Sequence, residues 1–293
     1  DLPGGGLMRG QVPGKRGEVF WDMVTQTMQG AAEQLNIGLE VIYAERNYRL
    51  LLSLAYAVVA RSEPPQFMIL VNEDNVAVPL LVAADAVGIH TLVIGSDVLG
   101  KERERLVDPK TGLKSWIGAL IPDAEAAGAR MARELLRVAR QGSLEGRDGK
   151  LHLLVLGGDE RGPTSKDRER GLAQVLAGAA DVVVDRHLYA HWNAAEAEEL
   201  TRKYLAWAKR HGIRPAGVWA GNDPMALGAI AALKEAGLSP GKDVVVVGLN
   251  WSREAVVQVK DGGMVLTDGG HFLMGTWSMI MLKMRALVRP MAF

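Results

Sequence analysis

The sequence predicts an α/β fold of two doubly wound parallel-sheet lobes, with a ligand cleft and a hinge between the lobes. Three observations lead to this prediction. Short apolar runs alternate with stretches of helical periodicity, which is the pattern of parallel strands covered by helices. The alternation occurs in two successive series, and a polar stretch at 100–115 interrupts it near the end of the first. In 217–228 an apolar run stops at a glycine and passes into a helix through a proline, a residue well suited to the first helical turn.

The first series begins in a segment, 1–18, that is rich in glycine and proline. Only Leu7, Met8 and Arg9 indicate a strand there. From 19 to 35, apolar residues recur at helical spacing, which predicts a helix. The elements predicted after it are a strand at 39–43, a helix at 49–62, a strand at 67–71, a helix at 76–87, and strands at 91–94 and 116–121.

A long helix at 123–141 leads into the second series. The strands of this series are predicted at 151–156, 182–184, 218–220, 244–247 and 264–267, and its helices at 165–178, 194–211, 225–236 and 253–259. The last helix, at 272–288, is expected to return to the first lobe. The predicted lobes are therefore 1–121 with 272–293, and 122–271.

Length and charge limit the classes of function. With 293 residues, the chain is long enough for two domains of ordinary size. Lysine plus arginine and aspartate plus glutamate both number 34, and a balanced charge argues against a nucleic-acid partner. The absence of cysteine excludes disulfides, thiolate metal sites and a cysteine nucleophile.

Two features bear on location. No apolar run reaches the ~18 residues that a membrane-spanning helix needs. The chain begins at Asp1 and not at methionine, so a processed precursor or a trimmed fragment is expected, and a signal peptide would lie outside the chain.

The junction at 217–228 supplies the first candidate site. Pro224 stands where a helix tolerates proline, and Asp223 before it is predicted to be the helix N-cap. Asn222 then lies at the carboxyl end of the strand, where open α/β sheets bind ligands. From spacing alone, a ligand site and a well-made turn explain this segment equally well.

Motifs of the common enzyme classes are absent or incomplete. The segment 157–164 imitates a phosphate-binding loop, but Pro163 replaces the required lysine. His187 and His191 are four residues apart, yet they follow a predicted strand and lack the further ligands of a zinc site. There is no Gly-x-Ser-x-Gly elbow for a serine nucleophile. We therefore expect a protein that is not an enzyme and that uses no cofactor.

A run of motifs in the second series resembles a known family. Asn-Asp-Pro-Met-Ala-Leu-Gly-Ala at 222–229, Lys-Glu-Ala-Gly-Leu at 234–238 and Asp-Val-Val-Val-Val-Gly at 243–248 are similar to segments of type I periplasmic binding proteins. Those proteins are the sugar-binding components of ABC transporters, and they share their fold with the cores of lac-repressor-type regulators. The resemblance implies a periplasmic monomer that binds a sugar or polyol and that has a transporter permease or a membrane sensor as its partner.

The resemblance also implies positions for ligand-binding aromatic residues. The family places two aromatics against the sugar at the position of Phe20 and Trp21. One of them has to face the core, so we assign Phe20 to the core and Trp21 to the ligand. Trp192 matches a further aromatic of the family, although surface packing explains it equally well. Asn250 and Trp251 stand where the family commonly carries a ligand-binding aspartate, so asparagine here keeps the hydrogen bonding without the charge.

Polar ligand contacts follow from the same comparison. Arg168 has the offset of the family's ligand arginine, whereas Arg170 is expected to face solvent in this charged segment. In the first lobe, Asn72 and Glu73 follow the 67–71 strand and match a polar ligand position. His271 lies in the second crossover, where a ligand role and a structural role are equally open. Asn222 and Asp223 complete the predicted ligand-binding set.

Two other classes of function remain open at this point. One is the sensor core of a transcription regulator, and the other is the extracellular sensing domain of a signalling receptor, including relatives that bind the autoinducer-2 signal. No helix-turn-helix precedes the core in this sequence, which argues against the regulator.

Overall fold

A computed structural model describes residues 7–12, 18–45, 47–72 and 76–287. The chain divides into two compact units. The first unit comprises Asp1–Pro122 and His271–Phe293, and the second comprises Asp123–Gly270. Each unit contains its own five-stranded sheet, in which every strand pair is parallel. The predicted fold class, an α/β protein with parallel sheets in two lobes, is confirmed.

The first unit is a sheet of strand order β2-β1-β3-β4-β5 with covering helices. Its elements are β1 (Leu7–Val12), α1 (Val19–Gln34), β2 (Gly38–Tyr43), α2 (Tyr48–Val59), β3 (Phe67–Val71), α3 (Ala77–Ala86), β4 (His90–Ile94), α4 (Gly100–Leu106) and β5 (Trp116–Leu120). A 3-10 turn at His271–Leu273 and the helix α10 (Met274–Leu287) complete it. Strand β3 is buried along its whole length, as expected for a central strand covered on both faces.

The second unit has the strand order β10-β9-β8-β6-β7. Its elements are α5 (Ala124–Gln141), β6 (Leu151–Gly157), α6 (Pro163–Leu176), β7 (Val182–Tyr189), α7 (Ala194–Arg210), β8 (Pro215–Ala220), α8 (Asp223–Glu235), β9 (Val245–Leu249), α9 (Arg253–Lys260) and β10 (Leu266–Asp268). Successive residues of β8 enter opposite cores. Trp219 packs in the cluster that contains α5, and Val218 packs in the cluster that contains α7 and α8. Such burial on both faces explains why the central strands β6, β8 and β9 are almost continuously apolar.

Polar caps position the helices that follow the strands of the second unit. The side chains of Asn193 and Ser252 accept hydrogen bonds from the first turns of α7 and α9. The side chain of Asn222 does the same for α8, where its Oδ1 accepts from the backbone N–H of Met225 at 3.0 Å. The prediction that Asp223 is the N-cap of this helix is therefore wrong by one residue. Asp223 is already helical, and its carboxylate is engaged elsewhere.

Two other local predictions differ from the structure. The polar stretch at 100–115 contains the helix α4, which hydrophobic periodicity misses because Leu106 is its only buried residue. Strand β7 continues to Tyr189, five residues beyond the predicted end. It is an edge strand with mostly exposed or half-buried side chains, so its Asp185, Arg186 and His187 do not conflict with a strand.

Candidate functional site

The carboxyl ends of the five parallel strands of the second unit lie along one edge of the sheet. Strand β6 has β7 on one side and β8 on the other, so the order of the strands reverses between β6 and β8. Ligands of open α/β sheets bind at this kind of reversal. Four of the predicted site residues lie in the loops along this edge, Trp192 after β7, Asn222 after β8, and Asn250 and Trp251 after β9.

Arg168 lies at the reversal point itself. It projects from α6, and its Nη1 donates a hydrogen bond to the backbone oxygen of Gly221, just after β8, at 2.5 Å. The residue is 5% exposed, and its buried Nε has no hydrogen-bond partner among the described residues. Burial lowers the pKa of Arg168 to about 10, against the attraction of Asp223 and Asp268. A buried N–H donor without an acceptor is costly, so this atom marks a place for an acceptor from elsewhere.

Trp192 is held beside this arginine by contacts on several sides. Its indole Nε1 donates to Oδ2 of Asp159 at 2.6 Å, and the guanidinium carbon of Arg168 lies 5.3 Å from the ring centre. The ring packs against Gly158 so closely that a Cβ at that glycine would collide with it. Nδ2 of Asn222 donates to the backbone oxygen of Trp192 at 3.3 Å. These contacts bring three predicted residues, Arg168, Trp192 and Asn222, into one cluster.

Asn250 and Trp251 adopt unusual backbone conformations, with φ of 152° and 57°. Positive φ in residues other than glycine costs about 1–3 kcal/mol each, and such residues concentrate at ligand sites. Trp251 is 51% exposed, and its ring packs against Gly269, where a Cβ would collide with it. Asn250 is 3% exposed, and its side-chain amide makes no hydrogen bond to the described residues.

Asp223, a neighbour of Asn222 in the sequence, is not at the surface of this edge. It is 0% exposed, and three hydrogen bonds occupy both of its carboxylate oxygens. Burial raises the pKa of Asp223, while hydrogen bonds from Thr267 and Ser252 and the charge of Arg168 act to lower it. Its carboxylate is enclosed by protein donors, and direct contact of Asp223 with a ligand stays an untested prediction.

The two aromatics predicted in the first unit are buried in the reverse of the expected order. Trp21 is 5% exposed and belongs to a core cluster with Val24 and Met28, whereas Phe20 is half-buried. Their ring centres are 5.1 Å apart in an edge-on arrangement. The burial of the two rings is therefore the reverse of the expected one, because α1 turns the larger ring inward, and contact of either ring with a ligand stays a prediction.

The polar residues predicted in the first unit have structural partners or lie outside the described residues. Asn72 is buried after β3. Its Nδ2 donates to the backbone oxygen of Asp97 at 2.8 Å, and its Oδ1 accepts from the backbone N–H of Ala77 at 3.0 Å. Glu73 is outside the described residues. His271 begins the 3-10 turn before α10 and is half-buried.

Two kinds of feature are absent from the described residues. No group of three or more histidine, cysteine, aspartate or glutamate side chains there could hold a metal ion. In the same residues, no helix combines the length and the apolar character needed to cross a membrane.

A sequence model of the periplasmic binding protein domain matches residues 10–286, nearly the whole chain. The chain belongs to the periplasmic binding protein family. The resemblance predicted from the segments at 222–248 is thereby confirmed. The family consists of substrate-binding proteins. Membership of this family confirms the prediction of a binding protein and not an enzyme.

Proteins similar to this chain include binding proteins for a sugar and for a polyol. The chain is 34% identical over 151 residues to a xylitol-binding protein of Mycolicibacterium smegmatis, and 30% identical over 96 residues to the galactofuranose-binding protein YtfQ of Escherichia coli. These matches cover 52% and 33% of this chain, but only 39% and 30% of the relatives. A solved periplasmic sugar-binding protein of Pseudomonas fluorescens is 32% identical, with a TM-score of 0.86 over 96% of this chain and 80% of that one.

Several residues of this periplasmic binding protein's candidate site were not predicted from its sequence. Asp159, Gly158, Gly269 and Thr267 all contact predicted residues or hold their loops in place. Asp159 and the two glycines follow the ends of strands, so their positions in the sequence could have predicted a place in the site. Thr267 lies within β10, and no pattern of the sequence distinguishes it from an ordinary strand residue.

Proposed function

We propose that this chain is a solute-binding protein that holds a sugar or polyol at the carboxyl edge of its second unit and supplies it to an ABC transporter. One observation carries the proposal. The buried Nε of Arg168, at the point where the strand order reverses, has no hydrogen-bond partner within the part of the chain that the structure describes. The sugar- and polyol-binding relatives support the choice of ligand class.

The chemistry of the cluster suits a molecule with several hydroxyl groups. Arg168 offers charged N–H donors, and hydrogen bonds from charged groups are stronger than those between neutral groups. The Asn250 amide offers a donor and an acceptor, which pair with the two roles of a hydroxyl. Asn222 keeps one amide hydrogen beyond its bond to Trp192. The exposed face of Trp251 suits the apolar C–H face of a sugar.

The cellular setting is part of the same proposal. The protein would act in the periplasm as a monomer, with a transporter permease as its partner, since the related proteins are periplasmic binding proteins. We assign Arg168, Asn222 and Asn250 to hydrogen bonding with the ligand, and Trp251 with Trp192 to its apolar surface.

Isothermal titration calorimetry with xylitol, L-arabinose, D-galactose and myo-inositol tests the proposal. We expect at least one of these compounds to bind, and we expect Arg168→Ala to weaken it by about tenfold to a hundredfold, because a hydrogen bond to a charged group contributes about 1.5–3 kcal/mol. Arg168→Lys should restore part of the affinity, because lysine keeps the charge but loses the planar fork.

Arg170→Ala is the matched control for this test. Arg170 lies two residues further along α6, is exposed, and pairs with Asp167 and Glu125. We expect its removal to leave the affinity unchanged. Failure of the wild-type protein to bind any of the four compounds, or equal binding by wild type and Arg168→Ala, would contradict the proposal.

A further inference from the structure

The Trp251 loop is hydrogen-bonded to a carboxylate, that of Asp223, which has no exposed surface. Oδ2 of Asp223 accepts hydrogen bonds from both the backbone N–H and the hydroxyl of Ser252, each at 2.9 Å. Oδ1 of Asp223 accepts the hydroxyl hydrogen of Thr267 at 2.7 Å. One carboxylate at the start of α8 therefore connects the loop after β9 to strand β10.

The Thr267 hydroxyl is also hydrogen-bonded to Trp251. Its oxygen accepts the backbone N–H of Trp251 at 3.1 Å while its own hydrogen is donated to Asp223. The directions of these two hydrogen bonds are fixed, because a carboxylate can only accept and a backbone N–H can only donate. Trp251 is thus constrained on both sides, at its own N–H and at the following residue, Ser252.

A constraint of this kind is needed at this position. Trp251 has a left-handed backbone, and half of its indole is in contact with solvent. The ring packs against Gly269 on one side. Gly248 in β9 provides the space for the carboxylate, since a Cβ there would lie 2.7 Å from Oδ1 of Asp223.

We propose that Asp223 is a positioning residue that acts through Thr267 and Ser252 to hold the Trp251 indole in its ligand-binding orientation. The consequence for affinity rests on the proposed function, whereas the orientation of the ring does not. Asp223 then determines how well the site accepts a flat C–H face without contacting the ligand itself.

Fluorine NMR of protein labelled with 5-fluorotryptophan tests the orientation in the absence of ligand. The chain has seven tryptophans, and the Trp251 signal is the one that disappears in Trp251→Phe. We expect Thr267→Val to shift or broaden this signal, because valine keeps the shape of threonine but removes the hydroxyl. Thr267→Ser retains the hydroxyl and should keep the wild-type signal, and the other six signals report whether each variant is folded.

An unchanged Trp251 signal in folded Thr267→Val and Asp223→Asn would overturn the proposal. A measurement on the wild type covers the case in which these variants do not fold. The Trp251 amide should be protected from hydrogen exchange, and rapid exchange of that amide would also overturn the proposal.

Titration with xylitol and D-galactose adds the effect on binding. We expect Thr267→Val to weaken binding by about tenfold when Trp251 is present and to have no further effect in a Trp251→Ala background, because residues of one network are not additive. Equal losses in both backgrounds would show that Thr267 does not act through Trp251. Absence of binding by the wild type would count against the proposed function, while the NMR result would still decide the positioning role.

Discussion

The Nδ1 atom of His152 lies 2.8 Å from Oδ1 of Asp185, and Oδ2 of the same carboxylate accepts the hydroxyl hydrogen of Tyr204 at 2.8 Å. Nε2 of His152 lies 3.1 Å from Asp148. The pairing of β6 with β7 skips Asp185, which is the extra residue of a bulge between the partners of Leu153 and Leu154. The bulge directs the Asp185 carboxylate toward the buried His152. This pair lies away from the carboxyl ends of the strands, where the candidate ligand site is.

This pair predicts a pH-dependent stability. Burial acts to lower the pKa of His152, but the hydrogen bonds and charges of Asp185 and Asp148 raise it by more, so the pKa lies above its ordinary value. A raised pKa means that the folded state binds the proton more tightly than the unfolded state. The stabilisation is therefore complete below pH ~6.5, the unfolded pKa of histidine, and is lost as the pH rises through the folded pKa.

Urea unfolding of the wild type and of His152→Gln at a series of pH values measures this effect. We expect the free energy of unfolding of the wild type to fall as the pH rises from about 6.5, and that of His152→Gln to change less over the same range. His191→Gln is the control, because His191 is exposed and has a single surface partner, Glu196. Parallel curves for the wild type and His152→Gln would contradict the prediction.

Helices α5 and α6 approach each other through two glycines. A Cβ at Gly171 would collide with the backbone oxygen of Glu125, and one at Gly128 would collide with that of Arg168. We expect Gly171→Ala to lower the free energy of unfolding by about 1–3 kcal/mol or more, because backbone atoms cannot move aside as a side chain can. Chemical denaturation measures the loss.

Gly30→Ala is the matched control for this packing prediction. Gly30 is an exposed residue of α1, and apart from its chain neighbours and the nearby backbone of α1, no atom of the described residues lies within 4 Å of the position its Cβ would take. Alanine favours a helix over glycine by about 0.5–1 kcal/mol, so this variant should be neutral or more stable. Similar losses from both substitutions would indicate that close packing is not the cause.

Trp251 and Trp277 provide a paired test of the aromatic surface. Both are more than half exposed, but Trp251 lies at the candidate site and Trp277 on α10 of the first unit. We expect Trp251→Ala to weaken the binding of whichever test sugar or polyol binds by about tenfold, equivalent to about 1.4 kcal/mol. Trp277→Ala should leave binding unchanged, and the same titration calorimetry measures both. Equal effects of the two substitutions on affinity would contradict the assignment of Trp251 to the site.

Much of the candidate site was predictable because it follows from the ends of strands. Asn222, Asn250 and Trp251 come directly after apolar runs, and parallel strands bring such positions to one edge of a sheet. Arg168 was predicted by its offset within a family motif. Helical periodicity did not predict which of Phe20 and Trp21 faces the core, because neighbouring residues on a helix differ by about 100° and either can border the buried face.

The sequence by itself determined the class of fold and the family of this protein, because both follow from local patterns, namely apolar periodicity, turn chemistry and short motifs. Only the tertiary structure decided how the polar groups are paired. Asp223 and Thr267 are 44 residues apart along the chain and meet because strands β8, β9 and β10 are neighbours in the sheet. Burial then makes each such pairing obligatory, since an enclosed carboxylate has to find donors, and which donors it finds depends on chain segments that are distant in sequence.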